Sequence, residues 1–449
     1  MKAIGIDIGT TSISAMIMDT GTDAVVRSWT IANPGFQESQ QPWERVQDAE
    51  AVVAAAVKLL DEVLSGASDV GVIGLTGQMH GIVYLDGEGR SLGPLITWQD
   101  GRGIQPCFDG RSVCDAVTER FGVKAYAGYG LVSHLYNLHK GIVPKGARSM
   151  ATIMDYLGMA LTGAKRPLLH SSNAASLGFY DLKNHAWRRD IVAAFGENGE
   201  LLPEITNRYA VIGSYRGIPV SVAVGDNQAS FMGSVRQGSE EILVNIGTGG
   251  QISALSGGIV DAEDIETRPF NEGSYLVVGS SLCGGRAYAT LASFMSSAAR
   301  AFGVADPNPY AAMAALLEAP QSPDPLRVDT RFAGTREHPD IRGSIANITT
   351  DNLTPAELVR GVLGGMADEL LTLYRRMEPR LGAGRSRIIA SGNGMRRNRA
   401  LQQITSERFN MPLILSEQTE EAACGAAIVG LCATGERTWE EAVGWRHSK

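Results

Sequence analysis

The chain has 449 residues, 44% of them hydrophobic and 20% charged, with a formal net charge of −8 at pH 7. That length exceeds one ordinary core and suits two domains, and the acidic balance argues against general nucleic-acid binding. No run of 18 apolar residues occurs, so no membrane span is expected, and a strand starts too close to Met1 for a signal peptide. Cys107, Cys114, Cys283, Cys424 and Cys432 are scattered and odd in number, with no CxxC spacing. They read as reduced thiols in a cytoplasmic protein rather than a disulfide framework or zinc site. A Gly-Lys dipeptide and a complete GxGxxG are both absent, which excludes a Walker A loop and the usual dinucleotide fingerprint.

In chain order, residues 2–8, 14–18 and 24–31 read as strands around the turn Asp7-Ile8-Gly9-Thr10-Thr11-Ser12. Residues 48–64 carry an apolar stripe at helical spacing. The strand expected at 70–75 ends in Thr76-Gly77-Gln78-Met79-His80-Gly81, and the run 95–98 leads into Gln99-Asp100-Gly101-Arg102. The stretch 110–215 is mixed, more helical, and defines no single architecture. A strand at 220–224 precedes Gly225-Asp226-Asn227-Gln228, and another at 241–244 precedes Asn245-Ile246-Gly247-Thr248-Gly249-Gly250. A domain change is placed near 230, giving domains 1–232 and 233–449. Thr354-Pro355-Ala356-Glu357 is a capping box opening a helix to about Met377. A strand at 388–390 meets the glycine turn Ser391-Gly392-Asn393-Gly394, residues 398–409 read as helix, and 420–431 is a small-residue helix fit for close packing.

The two Gly-Thr turns are the informative feature. Glycine lets backbone approach a ligand, and threonine adds a hydroxyl beside turn N–H groups, which together suit phosphate. Two such turns suggest a duplicated, two-lobed ATP-binding fold. Asp7 beside the first turn suits Mg²⁺ held through water, or orders its own loop. Asp226 at a strand end suits a proton acceptor in phosphoryl transfer; by residue type alone a turn or helix cap is the simpler reading. Gln78 and His80 offer hydrogen bonds to sugar hydroxyls and Met79 an apolar surface, although His80 is equally suited to a structural role. Trp98 through Arg102 combines an aromatic, an amide, an acid and a base, as carbohydrate sites do, or forms a surface turn with an internal salt bridge. Gly392, Asn393 and Gly394, with Asn398 nearby, would let a purine approach backbone, or form only a glycine turn.

In this order over the whole length, these motifs resemble the FGGY carbohydrate kinases of the actin, Hsp70 and hexokinase superfamily. The resemblance implies an α/β fold of two ribonuclease H-like lobes with an ATP cleft between them. It makes Asp226 the general base, with Asp7 and Asp226 toward Mg²⁺. ATP would meet Gly9, Thr10, Thr11, Ser12, Gly247, Thr248, Gly249, Gly392, Asn393, Gly394 and Asn398. The sugar would meet Gln78, Met79, His80, Asp100, Arg102 and Asn227. Gly77 to Gly81, Thr97 to Arg102 and Ser281-Leu282-Cys283-Gly284-Gly285 are similar to the ketose kinases of that family. The implied reaction is phosphorylation of a ketose at its terminal primary hydroxyl, with sedoheptulose first and D-xylulose or another pentulose second. A sugar-independent switch ATPase is the reading of a different class. The resemblance also implies a homodimer. Two departures stand out: Ser14 occupies a place where relatives often carry Lys or Arg, and Gly334-Thr335-Arg336 departs from the usual Gly-Glu-Arg.

Overall fold

Apolar residues at nearly every position bury the first two strands almost entirely, while the third lies largely exposed beside them. In a computed structural model that describes residues 1–39, 41–382 and 384–445, they form β1 (Lys2–Ile8), β2 (Ser12–Asp19) and β3 (Val25–Ala32). β1 and β2 pair antiparallel across the Gly9 turn, with Asp7 opposite Ser14. Asp48 caps α1 (Ala49–Ser65) by accepting the Ala51 N–H, and the helix buries Val52, Leu59, Leu60 and Val63. α1 connects to β4 (Val70–Gly77), which lies parallel to β1. Parallel neighbours need such a crossover.

The mixed stretch supplies α2 (Gly130–His139), α3 (Ile153–Thr162) and α4 (Ser171–Ser176). Much of it builds a core of its own around Ile82, Tyr84, Leu131, Leu135, Leu169 and Ile191. β5 (Val211–Tyr215), β6 (Ile218–Ser221) and the two-residue β7 (Val224–Gly225) then join the first sheet. Its order is β5-β6-β4-β1-β2-β3, with β7 also on β4. The single strand expected at 220–224 is thus two pieces, and Asp226 opens α5 (Asp226–Ser234).

A second sheet repeats the pattern. β8 (Glu241–Ile246) and β9 (Gly250–Ser256) pair antiparallel around Gly247-Thr248-Gly249. They are followed by β10 (Ile265–Asn271), β11 (Ser274–Ser281), α6 (Gly284–Ala301) and α7 (Pro355–Met377). Next come β12 (Arg387–Ser391), α8 (Gly392–Arg397), α9 (Arg399–Phe409) and β13 (Leu413–Leu415). The order is β10-β11-β9-β8-β12-β13, and β8 lies parallel to β12 as β1 does to β4. Only half of the expected capping box forms: Thr354 accepts the Glu357 N–H, while the Glu357 carboxylate accepts from the Ser322 N–H and Arg360. The expected turn at Gly392 to Gly394 is helix α8.

The last helix, α10 (Glu421–Ala433), packs on β1 and β4. Glycine makes this possible: a Cβ on Gly5 would fall 1.7 Å from the Ala423 oxygen, and one on Gly74 1.7 Å from the Ala426 oxygen. The chain divides into two compact units, the first made of Met1–Gly233, Arg268–Ser274 and Gln418–Val443, the second of the rest. Residues 268–274 and 418–443 thus group with the first unit rather than with the rest of 233–449.

Candidate active site

In the first unit, the Gly9 turn is held through its carbonyls. Asn33 Nδ2 donates to the Gly9 oxygen (2.9 Å), Gln47 Nε2 to the Thr10 oxygen (3.0 Å) and the Asn33 N–H to the Thr11 oxygen (2.9 Å). The Thr10 hydroxyl accepts from Trp98 Nε1 (2.9 Å) and donates to Gln78 Oε1 (3.4 Å), while Gln78 Nε2 donates to Gln47 Oε1 (2.8 Å). Gln78, expected to face a sugar, is therefore tied to the phosphate-type turn. Thr11 is exposed and Ser12 partly so.

Asp7 keeps slight exposure, but its Oδ1 has none and has no hydrogen-bond partner. Burial pushes its carboxyl up to about 8, and the charges of Asp226 and Glu420 push the same way. Ser14, opposite Asp7, is buried and brings no charge; it bonds Thr30, which reaches Glu420. Among the described residues no three His, Cys, Asp or Glu side chains form a group able to hold a metal directly. An orphaned carboxylate oxygen with two further acids nearby does fit hydrated Mg²⁺, which keeps several of its waters.

Asp7 thus carries a testable sign. Its folded pKa lies above its unfolded value, so the folded state holds a proton that the unfolded state has lost. Its contribution to stability falls as pH rises from about 4 to 8. Calorimetry of the metal-free protein should show Asp7→Asn gaining roughly 4 °C in Tm over wild type at pH 8, and little at pH 4. Mg²⁺ should stabilise the wild type at pH 8 and leave the variant unmoved. Equal pH dependence in both proteins would remove this account of Asp7.

Asp226 follows β7 directly and is half-buried. Burial pushes its carboxyl up to about 6, opposed by the Arg268 charge and by the Asn227 N–H. Asn227 sits beside it, half-buried at the start of α5. Met79 is buried against Gly225, where a Cβ would come within 2.7 Å of its sulfur. His80 has φ 76°, bonds the Ser176 carbonyl through Nδ1 (2.7 Å) and stacks on Tyr129 at 4.7 Å.

Asp100 and Arg102 are buried, not on a surface turn. Asp100 Oδ1 accepts the Arg102 N–H and Nε, and Oδ2 accepts the Arg45 N–H and Arg102 Nη2, which fills its acceptor sites. Arg102 also donates to Asn137 Oδ1 (2.7 Å) and Glu44 Oε1 (3.2 Å).

In the second unit three predicted segments come together. The Gly285 N–H donates to the Gly247 oxygen and the Arg286 N–H to the Thr248 oxygen, each at 2.9 Å. A Cβ on Gly284 or Gly285 would fall 2.3 Å from turn backbone, which explains the paired glycines opening α6. Gly392, at φ 84°, and Gly394 approach Ile246 just before the turn. Asn393 is exposed, and Thr248 and Gly247 are too. Asn398 caps α9 by accepting the Leu401 N–H and also hydrogen-bonds Tyr288.

Sequence reasoning missed Arg268, Glu420, Gln47, Glu44, Asn137 and Tyr288. None lies in a patterned motif beside its partner, and each acts across a long sequence separation.

Residues 2–233 match the N-terminal domain, and residues 244–434 the C-terminal domain, of the FGGY family of carbohydrate kinases. The chain belongs to that family, an ATP-dependent sugar phosphotransferase with the two-domain α/β fold of the FGGY kinases. The Sedoheptulokinase of Homo sapiens is 28% identical over 473 residues, covering 95% of this chain and 97% of that protein. The Xylulose kinase of Escherichia coli K12 is 25% identical over 393 residues, covering 81% and 76%. A solved xylulose kinase from Rhodospirillum rubrum superposes with a TM-score of 0.83 at 22% identity, covering 99% and 92%. No helix among the described residues is long and apolar enough to cross a membrane.

Proposed function

We propose that this kinase phosphorylates the terminal primary hydroxyl of a ketose, sedoheptulose before D-xylulose or another pentulose. The observation that carries the chemistry is Asp226: a carboxylate at the end of a buried strand, held near pKa 6, in the same unit as Gln78, Met79 and His80. The choice of sugar is supported by the end-to-end similarity to a Sedoheptulokinase.

The sugar hydroxyl oxygen bonds to the γ-phosphorus of ATP as its proton passes to Asp226, and ADP departs with the electrons of the broken P–O bond. A carboxylate near pKa 6 is ionised at neutral pH yet basic enough to share that proton. Gly9, Thr10, Thr11 and Ser12 in one unit, and Gly247, Thr248 and Gly249 in the other, take phosphate oxygens. Gly392, Asn393, Gly394 and Asn398, with the Tyr288 ring, serve the nucleoside. Asp7, together with Asp226, would hold Mg²⁺ through water; the cation supplies neutralisation of phosphate charge, which a chain of net charge −8 needs locally. Arg102 and Asn227 bond sugar hydroxyls, and Asp100 fixes the Arg102 guanidinium. All five cysteines are thiols rather than disulfide halves, which fits a reducing, cytoplasmic setting.

Sedoheptulose exceeds xylulose by two hydroxymethylene units, and a site built to bond a hydroxyl rejects its absence by on the order of 10⁴-fold. Coupled assays with Mg²⁺-ATP against sedoheptulose, D-xylulose, D-ribulose, L-ribulose, D-fructose and glycerol are expected to show sedoheptulose ahead by about a hundredfold or more in kcat/KM. A lead for xylulose would replace the substrate, and turnover indifferent to sugar would replace the reaction with that of a switch ATPase.

A further inference from the structure

The strand that delivers Asp226 is only two residues long, Val224–Gly225, and a strand so short leaves backbone groups for side chains to satisfy. Three fully buried side chains do so. Asn173 Nδ2 donates to the Ala223 carbonyl (3.1 Å), the Thr76 hydroxyl to the Val224 carbonyl (2.7 Å), and the Gly225 N–H donates to Ser172 Oγ (3.2 Å). Two of these side chains are themselves held. Asn173 Nδ2 also bonds both Asp155 oxygens, at 3.2 and 3.1 Å. Ser172 Oγ lies 2.8 Å from His170 Nδ1, which accepts the Ser172 N–H and is kept neutral by burial. Ser172 Oγ–H therefore points to the imidazole, and its lone pairs are left for Gly225.

We propose that Thr76, Ser172 and Asn173 are positioning residues that fix the peptide groups of 223–225 and thereby aim the Asp226 carboxylate at the sugar hydroxyl. This rests on the assignment of Asp226 as the base. The clamp comes from β4 and α4, so the base is braced from two sides. Gly225 leaves no slack, because Met79 and Gln228 fill the space where a Cβ would stand. Misplacement of a catalytic group by about 1 Å costs on the order of 10²-fold, so loosening one bond of three should cost about tenfold.

Thr76→Val keeps the β-branched shape of a strand residue and deletes only the hydroxyl, and Thr76→Ser restores it. Ser172→Ala repeats the test without disturbing β4, and Asp226→Asn is run beside them with the best ketose of the panel. The expected result is a kcat about tenfold lower in Thr76→Val and in Ser172→Ala, with KM for ketose and ATP within about threefold, Tm near wild type, and recovery in Thr76→Ser. Wild-type kcat in both hydroxyl deletions beside an inactive Asp226→Asn overturns the clamp alone. So does a raised KM at unchanged kcat. Full turnover in Asp226→Asn overturns the base and the clamp with it.

Discussion

Asp226→Ala is expected to lower kcat by roughly 10²–10⁴-fold, the usual share of a general base, with KM for ketose and ATP changed far less. On the proposed role the residue handles the proton, while most sugar and nucleotide contacts belong to other residues. It opens α5 directly after β7, its carboxyl is raised to about 6 by burial, and the Arg268 charge stops it rising further. The wild-type kcat/KM profile should therefore lose activity as pH falls through about 6, where the carboxylate takes up its proton. Asp226→Asn, which keeps the shape, should lose that acid limb along with its turnover. Intact kcat in Asp226→Ala would remove the assignment.

Gly74→Ala should destabilise the first unit by several kcal/mol, a large fraction of the net stability of about 5–15 kcal/mol that a domain possesses. The new methyl would lie 1.7 Å from the Ala426 carbonyl oxygen and 2.4 Å from its carbon. No rotamer change relieves a clash with backbone, so α10 must move away from β4 as a whole. The same close approach of backbones recurs at Gly5, Gly233 and Gly425, where a Cβ would stand 1.7, 2.0 and 1.8 Å from a backbone oxygen, so moving α10 away would open these packings as well. Thermal unfolding should show a drop of 10 °C or more, or no soluble protein. Gly87→Ala, at an exposed turn with only the Arg148 side chain at 3.8 Å, is the control and should be nearly silent. A Gly74→Ala protein with wild-type Tm would mean that the helix docks elsewhere.

Both hairpins were legible because everything that makes them is local: a buried strand, a glycine, a threonine, a returning strand. The capped helix α7 and the small-residue helix α10 were legible for the same reason. The partners were not. Asp7 meets Glu420 across most of the chain, and no spacing rule connects residues 413 positions apart. Gly392 to Gly394 read as a turn from propensity, but the close approach to Ile246 on β8 selects a helical start. Trp98 to Arg102 disclosed its charges and hid their burial, because Glu44 and Asn137 arrive from distant segments. The core around Leu131 and Ile191 stayed unread, since short helices and two-residue strands leave little periodicity to count.

The placement of α10 also sets an order on synthesis. β1 and β4 emerge early from the ribosome, yet the surface that covers their glycines is among the last to be made. At about 5–20 residues per second, the α10-binding face of β1 and β4 waits roughly 20–70 s uncovered. A fragment ending at Gly233 would remain in that unfinished condition, and even a late stop codon before 421 would release it. The first unit is therefore completed only once residues 418–443 have been made, long after the rest of its sheet, which makes it a natural client for chaperones during translation.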